Sequence, residues 1–340
     1  MRLVTYLPDM RPELRSALSG APEIESVLTD SEDAFIRELS KAEGAALYSG
    51  SYNERLAAAV AAAPSLRWIQ AGSTGYDRLL RFGVPDHVRI STAGDLWAGT
   101  VAEHALALLL GLLRRMPMIE AQKVHRDWNR QAIRESVGVL EGKRVAVIGM
   151  GAIGRGIAKR LNAFDTRVVA VVRHPERASA DICDLAGCVT DMDGLRRHLD
   201  EIDVVMPAVP LSADTEGMID ADFLGRMKSD ALLVNIARGE VVEEGALTAV
   251  LAAGRLGGAG LDVYEREPLP ADSPLWNFEN VILSPHVGGF GDPRRLNVLA
   301  SLLVENAERY LGGLMLRNEL GRRQREATRS PETQTMERCA

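Results

Sequence analysis

The stretch that most constrains the fold is Arg144-Val145-Ala146-Val147-Ile148-Gly149-Met150-Gly151-Ala152-Ile153-Gly154. Its first five residues are apolar enough to form a strand buried on both faces, as in a parallel sheet. A helical pattern, Arg155 to Ala163, follows the last glycine. In such a strand, turn and helix the first glycine allows the tight turn, the second lets a pyrophosphate approach the backbone, and the third lets helix pack on strand. The phosphates would sit on the free N–H groups at the helix start. A bare G-x-G-x-x-G is a weak signal. Its place between a buried-type strand and an amphipathic helix makes Gly149, Gly151, Ala152, Ile153 and Gly154 a candidate dinucleotide-binding loop rather than a structural turn.

The rest of the sequence alternates strand and helix in the same way. Strand-like runs Leu3 to Leu7, Ala45 to Tyr48, Leu66 to Gln70 and Val88 to Ser91 precede the loop, with helical patterns over Asp33 to Lys41 and Asn53 to Ala63. Arg167 to Val172, Val204 to Pro207, Ala231 to Asn235, Gly258 to Val263 and Val281 to Leu283 follow it. This alternation marks parallel sheets with crossover helices. A long apolar helix from Ala98 is expected to run until Pro117 stops it, and a last helix to cover Pro293 to Leu311. At 340 residues the chain has the length of roughly two domains. Its 40 Lys+Arg against 47 Asp+Glu leave a net charge of −7, which disfavours nucleic-acid and anionic-membrane partners, since both need a cationic face. The uncharged run Ala105 to Leu113 is about half of what spans a bilayer, and the first residues do not read as a signal peptide. Cys183, Cys188 and Cys339 match no zinc or redox spacing and read as reduced thiols of a cytoplasmic protein without a metal site. Residues 321–340 are polar, without apolar period, and are expected to be a mobile tail.

The end of the second strand of the glycine-loop unit selects the dinucleotide. An NAD site places an Asp or Glu there to hold the ribose 2′-hydroxyl. Here the chain runs Val171-Val172-Arg173-His174-Pro175-Glu176-Arg177, with Val172 at the acidic position. No carboxylate there repels a 2′-phosphate, and Arg173 can clamp it with His174 and Arg177 nearby. NADP(H) is therefore expected in preference to NAD(H); a solvated Arg173 with relaxed cofactor choice is the alternative.

Three residues past strand ends suit the chemistry of a bound nicotinamide. Arg238 follows Leu232 to Ile236, Glu267 lies in Asp262-Val263-Tyr264-Glu265-Arg266-Glu267-Pro268, and His286 follows Leu283-Ser284-Pro285. Reduction of a 2-keto acid needs a fixed cation for the carboxylate and carbonyl and a proton donor to the developing alkoxide. Arg238 offers the forked cation and His286 a ring that exchanges protons near neutrality. Glu267 would orient that ring and favour the imidazolium. Taken alone, an Arg after a strand is more often a surface cation, and a single His more often a packed or solvated residue.

Together the stretches Gly149 to Gly154, Asn235-Ile236-Ala237-Arg238-Gly239, Gly260 to Pro268 and Ser284-Pro285-His286-Val287-Gly288 resemble the D-isomer-specific 2-hydroxyacid dehydrogenase family in order and spacing. The likeness takes in Trp68-Ile69-Gln70 through Asp77, Val101-Ala102-Glu103-His104 and Val209-Pro210-Leu211 with Thr215, about residues 60 to 290. It implies Arg238 as substrate anchor and His286 as acid/base paired with Glu267. It also puts Asp262 at the nicotinamide carboxamide, Ile236 and Ala237 along the ring, and Val209 and Pro210 on the adenosine side. The backbone amides of Thr74 and Gly75 would hold the substrate carboxylate; from spacing alone their glycine-bearing loop fits an anion nest or a plain turn equally. The implied fold is α/β, with two Rossmann-like doubly wound parallel-sheet domains. A dinucleotide-binding domain, residues 97–286, is inserted into a flavodoxin-like substrate domain made of 1–96 and 287–320. Cleft closure would then bring Thr74 and Gly75 towards the trio.

The chain departs from the family pattern at Val172, at Asp165, where a helix-ending glycine is usual, and at Val287-Gly288-Gly289-Phe290-Gly291-Asp292, where a small residue and Thr are more common at the pocket rim and hinge. Glu267 argues against a formate dehydrogenase, and Thr74 against the Lys of phosphite dehydrogenases. The short tail leaves no room for the regulatory domain of many phosphoglycerate dehydrogenases. What remains is an NADP-type glyoxylate/hydroxypyruvate reductase or a broader reductase of small 2-keto acids. The rival is a non-catalytic dinucleotide-sensing, corepressor-like scaffold, which has no need of the complete trio. His104 beside Glu103 reads as a packing or hinge residue, because adjacent helical residues point about 100° apart. The polar, Trp-bearing arm Gln122 to Arg134 suggests a homodimer, as such segments form dimer arms in the family.

Overall fold

The computed structural model describes residues 1–321. Residues after Gly321, which include Cys339 and nearly all of the expected tail, lie outside them. The chain divides into two compact units: Met1–Trp97 with the described part of Gly291–Ala340, and Ala98–Phe290.

The first unit opens with β1 (Arg2–Tyr6), α1 (Arg11–Leu18), β2 (Glu25–Leu28), α2 (Glu32–Leu39), β3 (Gly44–Leu47), α3 (Glu54–Ala61), β4 (Trp68–Ala71), α4 (Asp77–Phe82) and β5 (Arg89–Ser91). The strands form a parallel sheet in the order β2-β1-β3-β4-β5, a flavodoxin-like order. Helix starts follow side-chain caps: Ser31 accepts the Ala34 N–H, and Asn53 Oδ1 accepts the Leu56 N–H at 2.9 Å.

The second unit contains α5 (Ala98–Leu113), α6 (Met116–His125), α7 (Arg130–Arg134), β6 (Arg144–Ile148), α8 (Ala152–Asn162), β7 (Arg167–Val171), α9 (Ala180–Leu185), β8 (Cys188–Thr190), α10 (Met192–Arg197), β9 (Val204–Pro207), α11 (Ala221–Arg226), β10 (Leu232–Asn235), α12 (Glu244–Ala252), β11 (Gly258–Leu261) and β12 (Val281–Leu283). Its parallel sheet runs β12-β11-β10-β9-β6-β7-β8, the doubly wound Rossmann order extended by one strand. Apolar clusters cover both faces, one around Phe223, Leu233 and Leu261 and one around Leu109, Val147 and Ile157.

The chain then returns to the first unit with α13 (Pro293–Leu311). Asp292 caps it and Pro293 occupies the first turn, where a missing N–H costs nothing. Asn306 of α13 donates to Gln70 Oε1 at 2.8 Å in a buried network with Ser91 and Trp68. Beyond it, Leu320 donates its N–H to Ile90 O at 2.8 Å, so this segment covers the edge strand β5.

Two sequence expectations change, and two strands are added. Pro117 does not stop the long helix: α5 ends at Leu113, Arg115 turns the chain at φ +54°, and Pro117 opens α6. The glycine-loop helix starts at Ala152, inside the motif rather than after it. Two strands, β2 and β8, were not expected: neither buries a single residue fully, so no apolar pattern marks them. No helix among the described residues is long and apolar enough to cross a membrane.

Candidate active site

β6 and β9 are neighbours at the point where the strand order reverses, and the crevice beyond them is where such sheets bind ligands. The glycine loop leaves β6 there. Gly149 has φ +94°, and a Cβ on it would lie 2.7 Å from Val209 Cγ1 and 2.8 Å from Ala208 O. A Cβ at Gly154 would sit 1.9 Å from Gly149 O, so helix and turn touch only because that side chain is missing. At Gly151 a Cβ would meet no protein atom within 4 Å. That open space, before the uncapped start of α8 at Ala152 and Ile153, suits the close approach of a pyrophosphate to backbone N–H groups. The residues present therefore fit a nicotinamide dinucleotide.

On the adenosine side, Val209 and Pro210 follow β9. Thr215 Oγ1 donates to Pro210 O at 2.7 Å and accepts the Ser212 N–H at 2.8 Å, which pins this loop. Past β7, Val172 gives its N–H to Thr190 O and offers no carboxylate. Arg173 is exposed and pairs with Asp214 at 3.2 Å, while His174 and Arg177 both lie beside Glu176. Ion pairs this exposed are worth little, so a phosphate can compete for Arg173.

Past β10, β11 and β12 the candidate trio comes together within the second unit. His286 Nδ1 lies 2.8 Å from Glu267 Oε2, and Glu267 Oε1 accepts the Tyr264 N–H at 3.1 Å. Burial pushes the Glu267 carboxyl up, but the His286 hydrogen bond and charge, the Tyr264 N–H and the Arg238 charge outweigh it and hold it below the usual carboxylate range. Arg238 donates from Nη1 to Ala237 O at 2.6 Å. Ile236 and Ala237 are buried at the same strand end. His286 adopts φ +54°, a left-handed conformation that costs a non-glycine residue about 1–3 kcal/mol and persists only where neighbours enforce it.

Asp262 is the hub beneath them and is 3% exposed. Its Oδ1 accepts from Ser284 Oγ at 2.6 Å and Val287 N at 2.9 Å, with His104 Nε2 at 3.2 Å, and its Oδ2 accepts from Gly288 N at 2.9 Å. Oδ2 keeps a lone pair for one further donor, such as a carboxamide. Desolvation raises this carboxyl, but the donors prevail and lower it overall. Tyr264 joins the same strand ends, its hydroxyl lying 3.0 Å from Leu261 O, Ser284 O and Ser284 N. The contacts of His104, Ser284 and Tyr264 were missed in the sequence; their residue spacing gives no local sign of them.

In the first unit, Thr74 Oγ1 donates to Gly94 O at 2.7 Å, and Gly75 O accepts from Ser49 Oγ at 2.6 Å and Ser73 Oγ at 2.9 Å. These bonds hold the loop by its oxygens. Among the described residues no acceptor takes the backbone N–H groups of Thr74 and Gly75, as an anion nest requires.

The family model for the D-isomer specific 2-hydroxyacid dehydrogenase, NAD binding domain, matches residues 106–288. The chain is also 31% identical over 292 residues to glyoxylate/hydroxypyruvate reductase B of Yersinia pestis (strain Pestoides F), covering 85% of this chain and 87% of that one. The chain belongs to the D-isomer specific 2-hydroxyacid dehydrogenase family. Two solved structures of family members share the fold. One, from Aeromonas salmonicida subsp. salmonicida A449, has a TM-score of 0.81 at 27% identity over 94% of this chain and 98% of that one. The other, from Xanthobacter autotrophicus Py2 in complex with NADPH and MES, has a TM-score of 0.78 at 26% identity over 95% and 99%. As a member of this oxidoreductase family, the chain carries its nicotinamide-dinucleotide domain in the second unit.

The lowered Glu267 carboxyl makes the stability of this dehydrogenase depend on pH. Because the folded group ionises at lower pH than the unfolded one, its contribution is complete above the unfolded value of about 4.3 and fades as pH falls through the folded value. The melting temperature of wild type should exceed that of Glu267→Gln most at neutral pH, and the gap should narrow below about pH 4.3. A gap unchanged between neutral and acid pH would show that the carboxylate contributes nothing.

Proposed function

We propose that the chain is an NADP(H)-preferring reductase of small 2-keto acids, glyoxylate or hydroxypyruvate first, working reversibly as a cytoplasmic D-2-hydroxyacid dehydrogenase. The observation that carries this reading is the 2.8 Å contact between Glu267 and His286 in the unit that also holds Arg238 and the glycine loop. When bound, the dinucleotide supplies or accepts the hydride at C2 of the acid. Arg238 presents a planar, permanently charged fork to the carboxylate and the C2 oxygen. His286 gives a proton from Nε2 to that oxygen in reduction and takes it back in oxidation. Glu267 holds Nδ1, so the ring keeps its orientation and presents Nε2 to the substrate. The N–H groups of Thr74 and Gly75 form an anion nest that suits a carboxylate.

Gly149, Gly151, Ala152, Ile153 and Gly154 cradle the pyrophosphate, and Val209 and Pro210 flank the adenosine. Ile236 and Ala237 line the nicotinamide ring, and Asp262 accepts from its carboxamide. Arg173 and His174 take the 2′-phosphate; the missing acid at Val172 and the weak Asp214 partner of Arg173 support this choice. A homodimer belongs to the same reading. Its support is the arm of α6 and α7, where Val124 is 77% and Trp128 93% exposed.

Loss of absorbance at 340 nm on mixing reduced cofactor with a panel of 2-keto acids tests the reading, and an enzyme inert to the whole panel refutes it. His286→Ala should cut turnover by about 10²- to 10⁴-fold with cofactor affinity kept, whereas Arg238→Ala should raise KM and lower kcat together. Near-normal turnover in His286→Ala would sink the assignment. Arg173→Ala should raise the KM for NADPH about ten- to hundredfold, the loss of a charged hydrogen bond, and leave that for NADH within a few-fold. Equal use of both cofactors by wild type would contradict the preference. Light scattering should report a dimer, and a concentration-independent monomer would remove that part of the proposal.

A further inference from the structure

The roles above leave one buried-side group on α5 without a task. Residues 258, 260 and 262 alternate onto one side of β11 and its continuation. A Cβ at Gly258 would lie 3.5 Å from Leu112 Cδ2, and one at Gly260 only 3.0 Å from Leu108 Cβ, so α5 rests on β11 where side chains are missing. Four helical residues advance about 6 Å and two strand residues about 6.6 Å, so helix and strand stay in step for another rung. Leu112 pairs with Gly258, Leu108 with Gly260, and the next rung sets His104 on Asp262.

The chemistry of the neighbours fixes the proton. Nε2 of His104 lies 3.2 Å from Asp262 Oδ1 and 3.0 Å from Ser284 Oγ. The carboxylate only accepts, and the serine hydroxyl spends its proton on Asp262 Oδ1 at 2.6 Å. Nε2 therefore carries the ring hydrogen and shares it between two acceptors. These two residues bracket His286: Ser284 O accepts the His286 N–H at 3.0 Å, and Asp262 accepts the N–H groups of Val287 and Gly288. Gly288 closes the arrangement, since a Cβ there would come within 2.8 Å of Asp262 Oδ2 and 3.3 Å of His104 Cδ2. The left-handed backbone of His286 has to be held by such neighbours.

We propose that His104 is a positioning residue: by bridging Asp262 and Ser284 it locks the two strand ends that fix the backbone of His286 and so sets the aim of its imidazole. The proposal rests on the reading of His286 as the proton-transferring group. His104→Leu removes the donor at similar bulk, His104→Gln returns an N–H near the position of Nε2, and Ser284→Ala removes one acceptor while keeping the histidine.

His104→Leu should lower kcat about ten- to hundredfold, the cost of a small misplacement at the reacting centre, with KM for the keto acid changed much less. His104→Gln should recover most of the loss, and Ser284→Ala should fall in between. Imidazole ¹H–¹⁵N spectra, taken without cofactor or substrate, should show His104 protonated at Nε2 in wild type. The His286 resonances should move in His104→Leu and Ser284→Ala and return in His104→Gln. Wild-type kcat with unmoved His286 resonances in His104→Leu overturns the proposal, as does a Gln variant that recovers neither. If the Leu variant does not fold, the same two readouts in Ser284→Ala decide. A wild type that reduces no 2-keto acid removes the functional reading, and the His286 resonances then still decide whether the bridge positions that ring.

Discussion

A parallel sheet covered on both faces confines its chemistry to the carboxyl ends of its strands. In the second unit every candidate group obeys this constraint. β6 runs into the glycine loop, β7 into Arg173, β9 into Val209, β10 into Arg238, β11 into Asp262 and β12 into His286. Because the strands are parallel, all these ends lie along one edge of the sheet, and the reversal of order between β6 and β9 opens the crevice there.

Missing side chains set how closely these parts approach. Gly149 and Gly154 let turn and helix touch, Gly258 and Gly260 let α5 lie on β11, and Gly288 lets the loop after His286 fold onto Asp262. The charged groups then act at short range. A chain with a net charge of −7 places Arg238 where its charge helps hold Glu267 ionised, and buries Asp262 under four donors. The bulk charge says little about the ligand; the local arrangement of Arg238, Glu267 and His286 suits a small anion that must exchange a proton.

Legibility in the sequence followed the range of the interaction. β6 and α13 were readable with the bounds they have, because a buried apolar run and a capped amphipathic period are local signals. Edge strand β2 was not, since solvation removes the pattern, and Pro117 misled because proline opens a helix as readily as it ends one. The Glu267–His286 pair could be guessed, its members being 19 residues apart past adjacent strands. The His104–Ser284 contact spans 180 residues and the Arg173–Asp214 pair 41, and both depend on tertiary register.

A site that moves a hydride between a nicotinamide dinucleotide and C2 of a small acid must leave that hydrogen in the product. A decisive measurement uses reduced cofactor carrying deuterium at both C4 positions of the nicotinamide, with hydroxypyruvate, followed by mass spectrometry and chiral separation of the product. The proposed transfer gives D-glycerate with deuterium at C2. An unlabelled product, or a labelled one of the opposite configuration, would contradict it.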